Sequence, residues 1–162
     1  STKYSSDHKM AMEMKAMGMT MMKQVVNNKE GYVVRQGQKT PITGEELESM
    51  REGAIPFEEV DLLNNSEVEL TGIETMNGSD AYAVKNGDTT LYYDTKTGYK
   101  VAQSVEAEQM GKTMTQTTYY SNYKEAKGIK VPYKITINMG VDIELSVSDV
   151  KINEGVTDAD FQ

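Results

Sequence analysis

The sequence contains no cysteine and only one histidine, His8. Without thiols it can form neither a disulfide framework nor a thiolate metal site, so redox chemistry does not constrain its compartment. Nucleophile–histidine pairs and metallohydrolase centres lack their residues, and neither a Gly-x-Ser-x-Gly motif nor a phosphate-binding loop is present. We therefore expect no enzyme activity, no cofactor and no metal site in this chain.

Basic residues are also few, with 17 Lys and Arg against 25 Asp and Glu, for a net charge of −8. This balance disfavours nucleic acids and anionic membrane surfaces as partners. No apolar run approaches the roughly 18 residues of a membrane-spanning helix. The 162 residues fit a single domain, and because the chain begins in polar sequence at Ser1, we interpret it as a piece of a longer protein.

What the sequence does contain is alternation of apolar and polar residues. Two runs near the C-terminal end have an apolar residue at every second position: Val131, Tyr133, Ile135, Ile137, Met139, and then Val141, Ile143, Leu145, Val147. This period is typical of strands with one buried face, and two runs about Gly140 predict a hairpin. For the apolar faces to coincide, Ile137 must lie opposite Ile143 and Ile135 opposite Leu145, around an odd-numbered loop.

Strands with glycine-containing turns are predicted along most of the chain. The predicted strands before this hairpin are 7–16, 19–26, 31–36, 67–76, 79–85, 89–94, 99–107 and 113–123, with a turn over 109–111 between the last two. A phase shift between Val147 and Val150 suggests a bulge. Strands at such spacing indicate a mainly β fold, with a strongly curved antiparallel meander or a barrel.

One helix is predicted at about 43–53, where Thr43 and Glu46 have the spacing of a capping box. Pro56 prevents its simple continuation through the helical or irregular segment 54–63. We interpret the two segments as a short helical cover on a sheet. The candidate lid residues are Leu47, Met50, Ile55, Phe57 and Val60.

Twelve methionines against two phenylalanines are the most unusual feature of the composition. Because methionine is flexible and polarisable, it suits adaptable apolar binding surfaces. One interpretation is a groove, lined by Met10, Met12, Met14, Met19, Met21, Tyr133, Ile135 and Ile137. The alternative is an ordinary packed core without a cavity. A copper site of thioethers beside His8 is geometrically feasible but disfavoured, since a lone histidine is more often a surface residue.

The ten tyrosines and the acidic residues have ordinary structural explanations. Tyr92-Tyr93 and Tyr119-Tyr120 each place one ring on either face of a strand, where rings pack across strands or orient a headgroup at a groove. The carboxylates are scattered over the helix and the turns. Solvated charge is therefore the expected role for them, and not a pair for acid–base catalysis.

Three segments carry a resemblance to a known family: Leu91-Tyr-Tyr-Asp-Thr-Lys-Thr-Gly-Tyr99, 119–133 and 151–161. They resemble the periplasmic lipoprotein-carrier (LolA/LppX-like) half-barrel proteins, and are most similar to the C-terminal domain appended to Bacteroidetes-type insulinase-like (pitrilysin) peptidases. The resemblance implies an incomplete antiparallel β-barrel whose concave face is covered by short helices and holds acyl chains. It also implies that any peptidase activity resides in domains absent from this chain, since no zinc motif of that class is present.

These observations give two functional hypotheses. The first is a non-catalytic module, periplasmic or associated with the outer membrane, that binds an acyl chain, a lipoprotein anchor or an apolar peptide. The second is a structural or interaction domain, accessory to upstream peptidase domains, with a filled core and no ligand.

Overall fold

Antiparallel strands make up most of this protein. The structure is a computed structural model that describes residues 1–109, 112–138 and 140–162. Side chains are described for these residues except 107–109 and 112–113. The strands are β1 (Thr2–Ser5), β2 (Lys9–Ala16), β3 (Met19–Val26), β4 (Gly31–Arg35), β5 (Gln38–Ile42), β6 (Glu69–Met76), β7 (Ser79–Asn86), β8 (Thr89–Asp94), β9 (Lys100–Gln109), β10 (Lys112–Ala126), β11 (Ile129–Asn138) and β12 (Asp142–Ser146). Helices are α1 (Gly44–Glu52), α2 (Glu59–Leu62) and a C-terminal 3-10 helix (Asp158–Phe161). The prediction of a mainly β, antiparallel fold with few helices is confirmed.

The strands form two sheets, each a meander of sequential neighbours. One has five strands in the order β1 to β5, and the other has seven in the order β6 to β12. The chain divides accordingly into two compact units. The first unit comprises 1–64 and 153–162, and the second comprises 65–152. The earlier prediction of one domain, taken from a longer protein, stays a prediction.

The core on one face of the five-stranded sheet is completed by the C-terminal segment. Phe161 is 3% exposed and packs with Ala11, Val25 and Tyr32. Its backbone oxygen accepts a hydrogen bond from Asn27 Nδ2 at 2.8 Å. Residues 153–162 therefore belong to the first unit through side-chain burial and through hydrogen bonding.

The second unit has a core of small residues on one face of its sheet. Ala81, Ala83 and Ala102 are fully buried and cluster with Tyr92, with Tyr119 packed against the group. Alanines at these positions leave room for the tyrosine rings on the neighbouring strands. Leu91, one position from Tyr92 and so on the opposite face, is 1% exposed.

The hairpin register predicted from the alternation is confirmed. Ile137 pairs with Ile143 and Ile135 with Leu145. Tyr133 accepts a backbone hydrogen bond from Val147 at 2.9 Å, as expected if those two lie opposite. Asn138 pairs with Asp142, so an odd number of residues separates the two strands, as predicted. Met139 itself and the turn residues 110–111 lie outside the described residues.

Other details differ from the sequence-based expectation. Strand β12 ends at Ser146 and no bulge leads into another strand at 150–152 in the described chain, so that prediction is wrong. The capping box at Thr43 is also not formed. Gly44 has φ +65, which turns the backbone left-handed where helical dihedrals would be needed, so the Thr43 hydroxyl makes no capping hydrogen bond.

Candidate apolar binding surfaces

One face of the seven-stranded sheet carries large apolar side chains from every strand, with Gln103, Gln116 and Thr118 among them on β9 and β10. The six pairings from β6–β7 to β11–β12 put residues from each strand on a common face, because partners in an antiparallel pair point to the same side. We call this the apolar face; its members include Leu70, Ile73, Tyr82, Val84, Leu91, Tyr93, Val105, Tyr120, Ile135, Ile137, Ile143 and Leu145.

The apolar face is more exposed at its two edges than in its middle. On β6, Leu70 is 63% and Ile73 60% exposed, and on β12, Leu145 is 45% exposed. In the middle, Leu91 is buried and Ile135 is half-buried. Large hydrophobic side chains exposed together on one face mark a binding surface more often than single scattered ones do.

Two polar groups lie on or beside this face. The Tyr120 hydroxyl donates to Gln103 Oε1 at 3.1 Å, and Gln103 pairs with Thr118 two residues before Tyr120. Lys124 Nζ lies 4.5 Å from the ring centroid of Tyr133. Both arrangements could orient the polar end of a ligand whose apolar part lies on the sheet.

The opposite face of this sheet is different in character. It carries the buried alanines and Tyr92, and burial, followed by the charge of Glu74, raises the pKa of the Tyr92 hydroxyl. A shallow polar depression adjoins it, lined by Asn77, Tyr119, Ser121, Lys134, Thr136, Asn138 and Asp142. As predicted, each tyrosine pair places one ring on either face of its strand. The pairings add that Tyr92 and Tyr119 share this face, whereas Tyr93 and Tyr120 lie on the apolar face.

On the five-stranded sheet, methionines share the face opposite Phe161. Met14 pairs with Met22, and Met12 pairs with Gln24, so the side chains of Met10, Met12, Met14 and Met22 form what we call the methionine face. The register shifts between Met14 and Lys15. Because of this bulge Met22, and not Met21, lies opposite Met14. Sequence parity placed Met21 in the stripe and missed Met22, whereas the predicted Met19 pairs with Ala16, which has the same parity as Met14 on β2.

Every described methionine is at least partly exposed. Met14 is 53%, Met19 63%, Met21 47% and Met17 98% exposed, and none of the buried core residues is a methionine. Met10, Met12 and Met22 are half-buried. The methionine side chains therefore form accessible surface within the described chain, and the buried core is made by other residue types.

Helix α1 packs on the methionine face close to Gly31, the first residue of β4. The Leu47 side chain fills the space above Gly31, and Gln24 Nε2 donates to Met50 Sδ at 3.2 Å. Arg51 Nε donates to the backbone oxygen of Asn27 at 3.1 Å. Two of the candidate lid residues, Leu47 and Met50, thus cover part of the five-stranded sheet.

The other candidate lid residues belong to the segment after α1. Ile55 is half-buried, whereas Phe57 is 37% and Val60 61% exposed. Leu63, at the end of α2, is 87% exposed. Segment 54–63 therefore presents apolar side chains to solvent, which is compatible with a movable cover, and its role as a lid stays a prediction.

The remaining candidate chemistry has structural explanations. His8 Nδ1 lies 3.2 Å from the backbone oxygen of Arg51. Hydrogen bonds from Lys9 and then Ser5 lower the pKa of Asp7 to about 2, and a hydrogen bond from the Thr97 hydroxyl lowers that of Asp94. Among the described residues, no three His, Asp or Glu side chains are grouped to hold a metal ion. These carboxylates are held in the charged form, which does not suit a general acid.

The candidate groove residues fall into both units. Met10, Met12, Met14, Met19 and Met21 lie in the first unit, whereas Tyr133, Ile135 and Ile137 lie on β11 in the second. The sequence reasoning missed the apolar-face residues on β6 to β8, such as Leu91 and Tyr82. Their alternation was visible in the predicted strands, but nothing in it indicated the face that they share with β11.

No helix in the described part of the chain is long and apolar enough to span a membrane.

Comparison with solved structures identifies the fold. No protein family definition matches the chain, and no curated protein sequence matches it either. A crystal structure of a LolA superfamily protein from Nitrosomonas europaea aligns with a TM-score of 0.61 at 14% identity, over 98% of this chain and 78% of that one. A DUF1329 family protein from Desulfovibrio piger ATCC 29098 aligns with a TM-score of 0.61 at 13% identity, over 95% and 80%. The chain therefore has a LolA-like fold, with two open antiparallel sheets.

Proposed function

Starting from a LolA-like fold, we propose that this chain is a non-catalytic carrier-like module of the periplasm or outer membrane. Its ligand is an acyl chain, a lipoprotein anchor or an apolar peptide. The observation that carries the proposal is the apolar face, which crosses seven strands and leaves large hydrophobic side chains exposed at both edges. Exposed apolar surface of this extent is costly in water unless a ligand or partner covers it.

The proposed site is centred on Tyr133, Ile135 and Ile137. These residues of β11 are half-buried, and the exposed Ile143 and Leu145 lie directly opposite two of them on β12. A flexible hydrocarbon chain fits such a face because binding needs only apolar area and no fixed hydrogen-bond pattern. The Tyr120–Gln103 pair supplies a polar contact for a carbonyl or headgroup.

The methionine face is a second proposed apolar surface. Its side chains are partly exposed and unbranched, so they can adjust to ligands of different shape. Helix α1 and segment 54–63 are the proposed cover. Movement of Phe57 and Val60 toward a ligand would bury apolar area that is now in contact with water.

Fluorescence titration with a fatty acid probe tests the proposal on delipidated protein. We expect saturable binding by the wild type, and at least a tenfold loss in Leu145→Glu, because a charge on the apolar face must be desolvated. Ser146→Glu is the matched control, since it adds the same charge one residue away on the opposite face. Both residues are exposed, so neither change should unfold the sheet.

The methionine face is tested by Met12→Asp in the same assay. Met17→Asp is its control, because Met17 lies in the turn between β2 and β3 and is 98% exposed. If the wild type binds saturably and neither Leu145→Glu nor Met12→Asp weakens binding, then neither proposed surface is the binding site. No binding of several acyl probes by the wild type would instead favour the alternative, an accessory structural domain of a peptidase with no ligand.

A further inference from the structure

Three methionines share one face of the five-stranded sheet, and Met50 of α1 lies over the same face. Met14 lies opposite Met22, and Met12 lies two residues before Met14 on the same face. Met50 approaches this face from α1, where its sulfur accepts a hydrogen bond from Gln24, the residue opposite Met12. Cβ atoms of directly opposed residues are about 5 Å apart and diagonal neighbours about 7–8 Å, within reach of two flexible methionine side chains.

An apolar surface does not by itself require sulfur. Leucine, isoleucine and valine supply the same hydrophobic area, and the β-branched ones have higher strand propensity. Yet seven methionines occur between residues 10 and 22, and each is at least partly exposed. A thioether differs from these alternatives chiefly in its polarisable sulfur, which is a neutral soft ligand that prefers Cu(I) and similar ions.

We propose that Met12, Met14 and Met22 bind one soft monovalent cation, Cu(I) or Ag(I), with Met50 as a fourth ligand. The long side chains can reorient without moving the strands, so the site needs no rearrangement of β2 or β3. The net charge of −8 favours association of a cation.

Calorimetric titration with silver nitrate in chloride-free buffer tests the site. The wild-type chain should bind close to one equivalent of Ag(I) in a saturable step. The triple variant Met12→Leu, Met14→Leu, Met22→Leu keeps the apolar surface and removes the sulfurs, and it should lose at least tenfold in affinity. A double variant, Met76→Leu with Met114→Leu, is the control in the second unit and should bind as the wild type does.

A second readout does not depend on the stability of the triple variant. With methyl-labelled methionine, NMR should show Ag(I) shifting the methyl resonances of Met12, Met14, Met22 and Met50 and leaving that of Met17 in place. Three results would each overturn the proposal: no Ag(I) binding at micromolar concentration, full binding by the triple variant, or shifts confined to other methionines. Fatty acid binding should survive in the triple variant, so this site and the proposed function can fail independently.

Discussion

The Cδ1 atom of Leu47 lies 2.5 Å from the position that a Cβ atom on Gly31 would occupy. Helix α1 therefore approaches the five-stranded sheet at the one residue of β4 that has no side chain. Gly31 pairs with Val26 and Ile42, both of which are buried. This contact is how the cover helix is placed on the methionine face.

Replacing Gly31 with alanine should therefore force the Leu47 side chain to move. We expect a loss of about 1 kcal/mol in the free energy of unfolding, the low end of the range for overpacking, because a terminal methyl group can rotate away. Denaturant unfolding of Gly31→Ala alone, and of Gly31→Ala combined with Leu47→Ala, measures this loss. In a Leu47→Ala background the same change should cost much less, because the clashing atom is gone; equal costs in the two backgrounds would contradict the contact.

Phe161 should contribute strongly to the stability of the first unit. Truncation to alanine leaves a cavity among Ala11, Val25 and Tyr32, and we expect a loss of about 3–5 kcal/mol. Val156→Ala, at a residue 39% exposed in the same segment, is the control and should cost far less. Thermal melts of both variants compare the two losses of stability. Similar losses would show that Phe161 does not anchor the C-terminal segment.

Acid should weaken the attachment of the C-terminal 3-10 helix. The hydrogen bond from Lys3, followed by that from the Thr157 backbone N–H, holds the pKa of Asp160 below its usual value of 3.8. A lowered folded-state pKa means stabilisation that is present above the unfolded-state pKa and is lost as pH falls through the folded-state value. Asp160→Asn should therefore lower the Tm at neutral pH and have less effect once the pH is below the folded-state pKa of Asp160.

The control for this pH dependence is Asp149→Asn. Its carboxylate lies 3.9 Å from Lys151 with both side chains mostly exposed, a geometry that contributes little. We expect only a small change in Tm at neutral pH in that variant. A Tm difference for Asp160→Asn that stays constant from neutral pH to the acid limit would contradict the assigned pKa direction.

Leu91 should be the most sensitive leucine of the apolar face. It is 1% exposed, whereas Leu63 in the first unit is 87% exposed. Leu91→Ala should cost about 2–5 kcal/mol through cavity formation, and Leu63→Ala should stay within about 0.5 kcal/mol. Urea unfolding of the two variants compares the same chemical change at both extremes of burial.

The sequence predicted β11 and β12 well because their signal is local. Alternation over β11 and β12 requires a single register, and Ile135 pairs with Leu145 as expected. Two short edge strands, β1 and β5, were not predicted. Thr2–Ser5 is polar and short, and Gln38–Ile42 contains Pro41, which an edge strand tolerates but which argues against a strand in sequence.

The candidate site was predicted only in part, for a different physical reason. A bulge changes which side chains share a face without changing composition, so parity selected Met21 where the structure pairs Met22 with Met14. Likewise, alternation identifies a buried face within each strand but does not assign strands to sheets. Assigning Leu91 and Ile135 to one apolar face required the pairings of β8 through β11.

The first unit is assembled from two separated stretches of chain, 1–64 and 153–162. During synthesis on the ribosome, residues 1–64 emerge well before Phe161 has been translated. Until then, Ala11, Val25 and Tyr32 lack their aromatic partner, and the apolar surface that they share is accessible to chaperones or to misassembly. The core of the first unit should therefore be completed only after residues 153–162 have been synthesised, and a chain lacking 153–162 should be unusually sensitive to proteases.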